Sequence, residues 1–378
     1  QKIVRQAIEH CNRAHFRPPE STRVFVAMGE YAFMGLTGLQ HDFNGWRGYV
    51  HPYRPLWAET VPPLLTRIWT PGQVPGDPLS VYVVHHIARI FREPEAELPA
   101  KRDWNKLAYL LAGKWPEPMP LLIGEPLDVW PNEFAFDTEF AEEEPDRLVR
   151  YSMATRDRRV WVVEAASSGR GTILPGSRAI MHNAPADLPH LRKFFGLTVE
   201  ELLALIEIED TMYAHAVLWT GRVETDDQKG KQGGASSHTL NFLGSIYARI
   251  NRWKHLARIA PRQYAGGDAL STMDAWATGL HGGLSGELAR DPQTKWVYEH
   301  LQKPLVPIVL RAHKRGIATD QKAAKIALQA ISEEQHEFEM RAQAYAGWPL
   351  NLRSPAHVAF WLYTVEQVKA RRKFGAQR

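Results

Sequence analysis

The run FAFDTEF, residues 134–140, constrains the chain more than any other stretch. Its aromatic and apolar residues predict a strand, and a strand sends successive side chains to opposite faces. Asp137 and Glu139 then share one face, while Phe136, Thr138 and Phe140 share the other. Two like charges side by side are costly unless they share a proton, bind a cation, or both reach water at a sheet edge. For the strand alone all three readings stay open. Two more strand-like runs follow, RLVRYSMAT (147–155) and RRVWVVEAA (158–166), parted by charged turns, so the three predict an antiparallel meander. Helical patterns come next, including LTVEELLALI, in which Thr198 and Glu201 have capping-box spacing.

The remaining sequence limits what this meander belongs to. A chain of 378 residues exceeds one ordinary core and predicts two or three domains. With 44% hydrophobic and 23% charged residues it is globular, not disordered or fibrous. A net charge of +4 accommodates a polyanionic partner without requiring one. Cys11 is the only cysteine, which excludes an internal disulfide framework and a four-cysteine metal cluster and fits a reducing compartment. No run of about 18 apolar residues predicts a membrane-spanning helix. The N-terminal QKIVRQAIEHCNRAH lacks the apolar core of a signal peptide and reads as an amphipathic helix carrying Ile3, Ile8 and Cys11. Its start on Gln, mid-pattern, suggests a piece of a longer protein.

Three segments are expected. Residues 1–120 alternate short apolar runs with Gly and Pro, and RVFVAM followed by Gly and a helical pattern predicts an α/β unit. GKWPEPMPLLIGEP (113–126) reads as a linker. Residues 121–285 hold the meander and later helices, and residues 286–378 are helical nearly throughout, ending on the basic KARRKFGAQR. The fold class is thus α/β multidomain.

Two further acidic positions stand out. In MHNAPADLPHL, Asp187 lies at a turn into a helix behind His182 and Asn183, where an Asp is ordinarily a cap. In PRQYAGGDALSTMDAWAT, Tyr264 precedes Asp268 by four residues and so shares its helical face. Asp and Glu on a first strand, Asp after His-Asn-Ala, and Tyr-x-x-x-Asp near the end of a domain of this length form the three motifs of the DEDD class of 3'–5' exonucleases, in its tyrosine branch. Residues 125 to 285 resemble the proofreading domain of family A DNA polymerases. IEDTMYAHAVL, with Asp210, Thr211 and Met212 read as a strand of that fold, and HTLNFLGSIYAR followed by WKHL are similar to it as well.

The resemblance implies an RNase H-like domain with a mixed sheet and helices, and a cytoplasmic setting in a bacterium or phage-infected host. It implies Asp137, Glu139, Asp187 and Asp268 as ligands of two Mg2+ or Mn2+ ions, with Glu139 also near the attacking water and Tyr264 orienting it. The partner implied is a single-stranded DNA 3' end. Hard carboxylate oxygens suit such ions, and a pair of ions supports both attacking and leaving oxygens of a phosphodiester. Asp274 is a second candidate for the last ligand. Aligning it places Leu270 where the tyrosine belongs, so Asp268 is preferred.

The flanks resemble other modules. YEHLQKPLVPIVLRAHKRGIATD and NLRSPAHVAFWLY are similar to the entry of a family A polymerase module, with a Gly316 to Asp320 turn and an Asn351 to Pro355 helix start. A helical dimerisation or capping bundle is the alternative for this tail. Upstream, Gly29 and Glu30, the Arg47-Gly48 pair and the His86 to Arg92 spacing resemble part of a uracil-DNA glycosylase-like fold, although Ile87 replaces the usual Pro. A scaffolding or DNA-binding role is expected there rather than base excision. Arg249, Arg252, Lys254, Arg258 and Arg262 either track a phosphate backbone or form a solvated helix face. Two further functions are weighed against the exonuclease: a non-catalytic subunit supporting a separate polymerase polypeptide, and a uracil-DNA glycosylase.

Overall fold

The computed structural model of the chain describes residues 24–39, 43–52, 80–92, 96–141, 147–166, 171–219 and 238–366. The expected N-terminal helix and the basic C-terminal run lie outside them. The chain forms two units, Gln1–Lys314 and Arg315–Arg378. Among the described residues no helix is long and apolar enough to cross a membrane.

RVFVAM forms the expected strand into a helix. Strand β1 (Val24–Met28) passes through Gly29, at φ +92°, into helix α1 (Glu30–Thr37). It belongs to a three-stranded sheet of order β1-β3-β2, in which β3 (Ser80–Val84) runs parallel to β1 and antiparallel to β2 (Val50–Pro52). Every residue of β3 is buried, which its β-branched run SVYVV suits.

The larger sheet has six strands in the order β4-β7-β6-β5-β8-β9. The meander forms as its sequence predicts: β5 (Glu133–Phe140) pairs antiparallel with β6 (Leu148–Ala154), and β6 with β7 (Val160–Glu164). Parallel strands extend both sides, β4 (Leu122–Ile123) beside β7, and β8 (Ser177–Met181) then β9 (Ile206–Asp210) beyond β5. The result is a mixed sheet with helices. Phe134, Phe136 and Tyr151 meet Leu188 and Leu191 of a helix on one face, whereas Ala135, Val160 and Val162 meet Ala265 and Ala269 of another on the opposite face.

Three stretches differ from the sequence reading. GKWPEPMPLLIGEP packs instead of hanging as a linker: Trp115 is buried with its Nε1 donating to Ala248 O at 3.1 Å, and Leu122–Ile123 adds β4 to the sheet. The strand of IEDTM ends at Asp210, because that carboxylate accepts from Met212 N at 2.8 Å and Tyr213 N at 3.1 Å and starts a helix there. Arg47, part of the pattern that resembles a glycosylase-like fold and read there as scaffolding or DNA-binding, is buried, donating to Asp103 Oδ1 at 2.6 Å and Ser245 Oγ at 2.5 Å.

That last cluster explains why the first segment and the meander segment lie in one unit. Asp103 and Lys106 come from helix α2 (Glu97–Leu111), and the Lys106 ammonium donates to Gly244 O and Ser245 O, at 3.2 and 3.0 Å. Burial pushes the Asp103 carboxyl up to about 6, against the pull of Arg47. Around this polar knot, Tyr49, Val50 and Val81 to Val84 share one apolar core with Leu243, Ile246, Tyr247 and Trp253. Gly48, at φ +71°, lets the chain pass: a Cβ there would lie 2.7 Å from Ser245 O.

In the second unit Asp320 caps helix α5 (Gln321–Ala346) by accepting from Lys322 N and Ala323 N, and Ser354 caps α6 (Pro355–Phe360) by accepting from His357 N.

Candidate metal and nucleic-acid site

The expected carboxylates meet on the face of β5 that alternation assigns to them. One oxygen from each of Asp137, Glu139 and Asp268 lies within 4.8 Å of the others. Asp268 arrives on helix α4 (Pro261–Met273), which lies across β5, β6 and β7. The glycine pair before it makes the approach possible. A Cβ on Gly266 would lie 2.7 Å from Leu122 Cδ2, and one on Gly267 would lie 2.4 Å from Trp253 Cδ1. A larger residue at Gly266 would push the helix, and with it Asp268, off the sheet, and one at Gly267 would collide with the Trp253 ring.

Asp187 sits behind β5. Pairing of β5 with β8 ends at Ala135↔Ile180, so beyond that point the edge of β5 is left to other partners. Thr138 uses it: its backbone N donates to Asp187 Oδ1 at 3.1 Å and its hydroxyl to the same oxygen at 2.5 Å. Asp187 is on helix α3 (Ala184–Phe195), whose start is fixed by Asp210 through Ala184 N at 2.6 Å. Asp187 is therefore outside the group of three, yet its charge helps to raise the Asp137 carboxyl. Thr138, on the opposite face of the strand from Asp137 and Glu139, anchors it.

The electrostatics are those of crowded, half-hidden acids. Burial, followed by the charges of Asp268, Asp187 and Glu139, holds the Asp137 carboxyl well above the usual carboxylate range. Burial and then Asp268 push Glu139 up to about 7, and burial pushes Asp187 up to about 7 against the hydrogen bonds from Thr138. Asp137 Oδ2 is buried with no hydrogen-bond partner. Once that carboxyl is ionised, an oxygen buried without a donor costs several kcal/mol unless something else meets it. An all-oxygen donor set with one orphaned member fits a hard divalent cation, held by Asp137, Glu139 and Asp268.

Tyr264 lies on the same helix, half-buried, and accepts a hydrogen bond from Lys254 Nζ at 3.3 Å. Burial, then Asp268, pushes its phenol up to about 12, so it is a neutral O–H donor at physiological pH. The acid Asp274 is elsewhere. Fully buried, it accepts from Arg249 N at 2.9 Å, Arg249 Nε at 3.2 Å and Thr278 Oγ1 at 2.8 Å, and Arg158 lies 3.6 Å away. The helix places Asp268 with the other acids and Asp274 in an ion-pair network.

The basic residues divide in the same way. Arg249 serves Asp274 and Glu117, Arg262 donates to Val162 O at 2.9 Å, Arg252 lies over the Trp46 ring, and Arg258 is exposed. Lys254 belongs to the acid cluster, with Nζ 2.5 Å from Asp268 Oδ1. Trp253 Nε1 donates to that same oxygen at 2.6 Å. Sequence reasoning did not assign Trp253 and Lys254 to the site. Their signal was an aromatic-lysine pair ten residues before Tyr264, which carries no chemistry until the fold closes.

No protein-family model matches the chain, and none of the curated proteins matches it. Among solved structures it is similar to Brucella melitensis NrnC, at 19% identity and TM-score 0.39 over 53% of this chain and 96% of that one. It is similar to the POL domain of Pol1 from M. smegmatis in complex with DNA primer-template and dNTP, at 17% identity and TM-score 0.35, covering 61% of this chain and 37% of that one. It is also similar to Escherichia coli RNase D, an exoribonuclease involved in structured RNA processing, at 14% identity and TM-score 0.32, over 48% and 45% of the two chains. Likenesses at this level define neither activity nor substrate.

Proposed function

We propose that the chain is a metal-dependent 3'–5' exonuclease acting on single-stranded DNA ends. The carrying observation is the meeting of Asp137, Glu139 and Asp268 within 4.8 Å, with a buried Asp137 oxygen that has no donor. Direction and substrate rest on the resemblance to polymerase proofreading domains that the motifs carry, Asp-x-Glu, then Asp187, then Tyr264-x-x-x-Asp268. Mg2+ or Mn2+, two ions when the site is filled, would supply a Lewis acid and a nucleophilic hydroxide there. Asp137, Glu139 and Asp268 hold the cations, and Asp187 stands behind them on Thr138. The neutral Tyr264 hydroxyl orients the attacking water, and Glu139 lies beside it.

For residues 24–120 we propose a scaffold. Arg47 is turned inward, where Asp103 and Ser245 accept its hydrogen bonds. Residues 286–378 we read as the entry to a polymerase module, in keeping with a proofreading role, either on the same polypeptide or beside a separate polymerase chain. The test of the activity is a 5'-labelled oligonucleotide incubated with Mg2+ or chelator. The wild type should give a metal-dependent ladder of single-nucleotide steps, and Asp137→Ala should slow it at least about 100-fold. Undiminished degradation by Asp137→Ala would refute the assignment.

A further inference from the structure

Lys254 is a cation in direct contact with the acid cluster. Its Nζ lies 2.5 Å from Asp268 Oδ1 and 3.3 Å from the Tyr264 hydroxyl, and 4.8 Å from the centre of the Tyr264 ring. Its charge also acts on Asp137 and Glu139. The side chain is 23% exposed, so bulk water screens these contacts only in part. Three converging carboxylates with an orphaned buried oxygen would repel one another in a metal-free chain. The ammonium reaches in from the short turn Lys254–Leu256 and meets Asp268 and Tyr264.

We propose that Lys254 is a resident counter-charge of the metal centre. It holds the cluster together before ions arrive and lowers the affinity of the free protein for them. This rests on the reading of Asp137, Glu139 and Asp268 as metal ligands. The physical reason is competition for one pool of negative charge. Whatever part of the Asp268 carboxylate the ammonium neutralises no longer attracts a second cation, and the ammonium itself repels that cation. A DNA strand brings its own phosphate charge, which offers the ammonium another partner. The full set of charges would therefore assemble more readily with substrate present than without it. Lys254 is a positioning residue, acting through Asp268 and Tyr264.

The decisive experiment is calorimetric titration of Mn2+ into DNA-free protein, for wild type, Lys254→Met, Lys254→Arg and Asp137→Ala. Hydrogen bonds to charged groups are worth about 1.5–3 kcal/mol, which is roughly 10- to 100-fold in an equilibrium constant. Lys254→Met should therefore bind Mn2+ at least about tenfold more tightly than wild type, while Lys254→Arg, which keeps the charge, should not. Addition of Mn2+ should also raise the melting temperature of Lys254→Met by more than it raises that of wild type, a readout that survives a weakened metal-free fold. Equal or weaker Mn2+ binding by Lys254→Met, with binding still abolished by Asp137→Ala, would overturn the role of the lysine alone. Absence of any Asp137-dependent binding in both wild type and Lys254→Met would overturn the metal site and the lysine's role together.

Discussion

Replacing Glu139 by Gln should make the metal-free protein more stable while removing its activity. Burial and the neighbouring Asp268 move this carboxyl from 4.5 to about 7. A carboxyl whose pKa is raised on folding destabilises the folded state above that value, and the penalty disappears as pH falls toward the unfolded value. At about 1.4 kcal/mol per pH unit the full penalty is ~3 kcal/mol. Glu139 is only half-buried, so screening reduces this to ~1–2 kcal/mol. For a unit of this size that corresponds to a rise in Tm of a few degrees. The assay is thermal denaturation in chelator, with wild type and Glu139→Gln compared at pH 8 and pH 5. The variant should melt higher at pH 8, and most of the difference should vanish at pH 5. Saturating Mn2+ should reverse the order at pH 8, because only the wild type keeps its full set of ligands. A lower Tm for Glu139→Gln in chelator at pH 8, or a difference that does not change with pH, would refute the idea that the cluster is strained by its own charge.

Asp274→Asn should cost ~3 kcal/mol or more in stability by leaving Arg249 and Arg158 short of their buried partner, with Mn2+ affinity unchanged; altered affinity would place Asp274 in the metal site. Tyr264→Phe should lower kcat by roughly 10- to 100-fold with little change in Mn2+ binding, since only the oriented hydroxyl is lost; an unchanged kcat would remove Tyr264 from the mechanism. His86→Ala, at an exposed position beside Gly29, should leave nucleolysis intact; a large loss would end the division between scaffold and nuclease.

Alternation and local spacing were enough to read the central elements. FAFDTEF predicted both the strand and the face on which Asp137 and Glu139 meet, and Thr198 with Glu201 forms the expected capping box. The tyrosine before Asp268, and not a leucine, separated it from Asp274, which the structure pairs with Arg249. What escaped depends on contacts between residues far apart in the chain. Asp210 fixes the start of α3 from 26 residues away, and Thr138 anchors Asp187 from 49 residues away. Arg47 reaches Ser245 across 198 residues, a structural contact that its local sequence does not signal. Pro and Gly in GKWPEPMPLLIGEP signalled a break in regular structure but not that Trp115 would anchor it in the core. A positive residue near a nuclease motif is read by default as facing DNA, and only the fold turns Lys254 inward.

The most direct measurement is the anomalous scattering of Mn2+ in crystals of the wild-type protein grown with a short single-stranded DNA. The account predicts density for Mn2+ bridged by Asp137, Glu139 and Asp268, with the terminal 3' phosphodiester of the strand beside it and the Tyr264 hydroxyl facing it. Mn2+ bound elsewhere, or DNA bound with its 3' end away from these carboxylates, would contradict it.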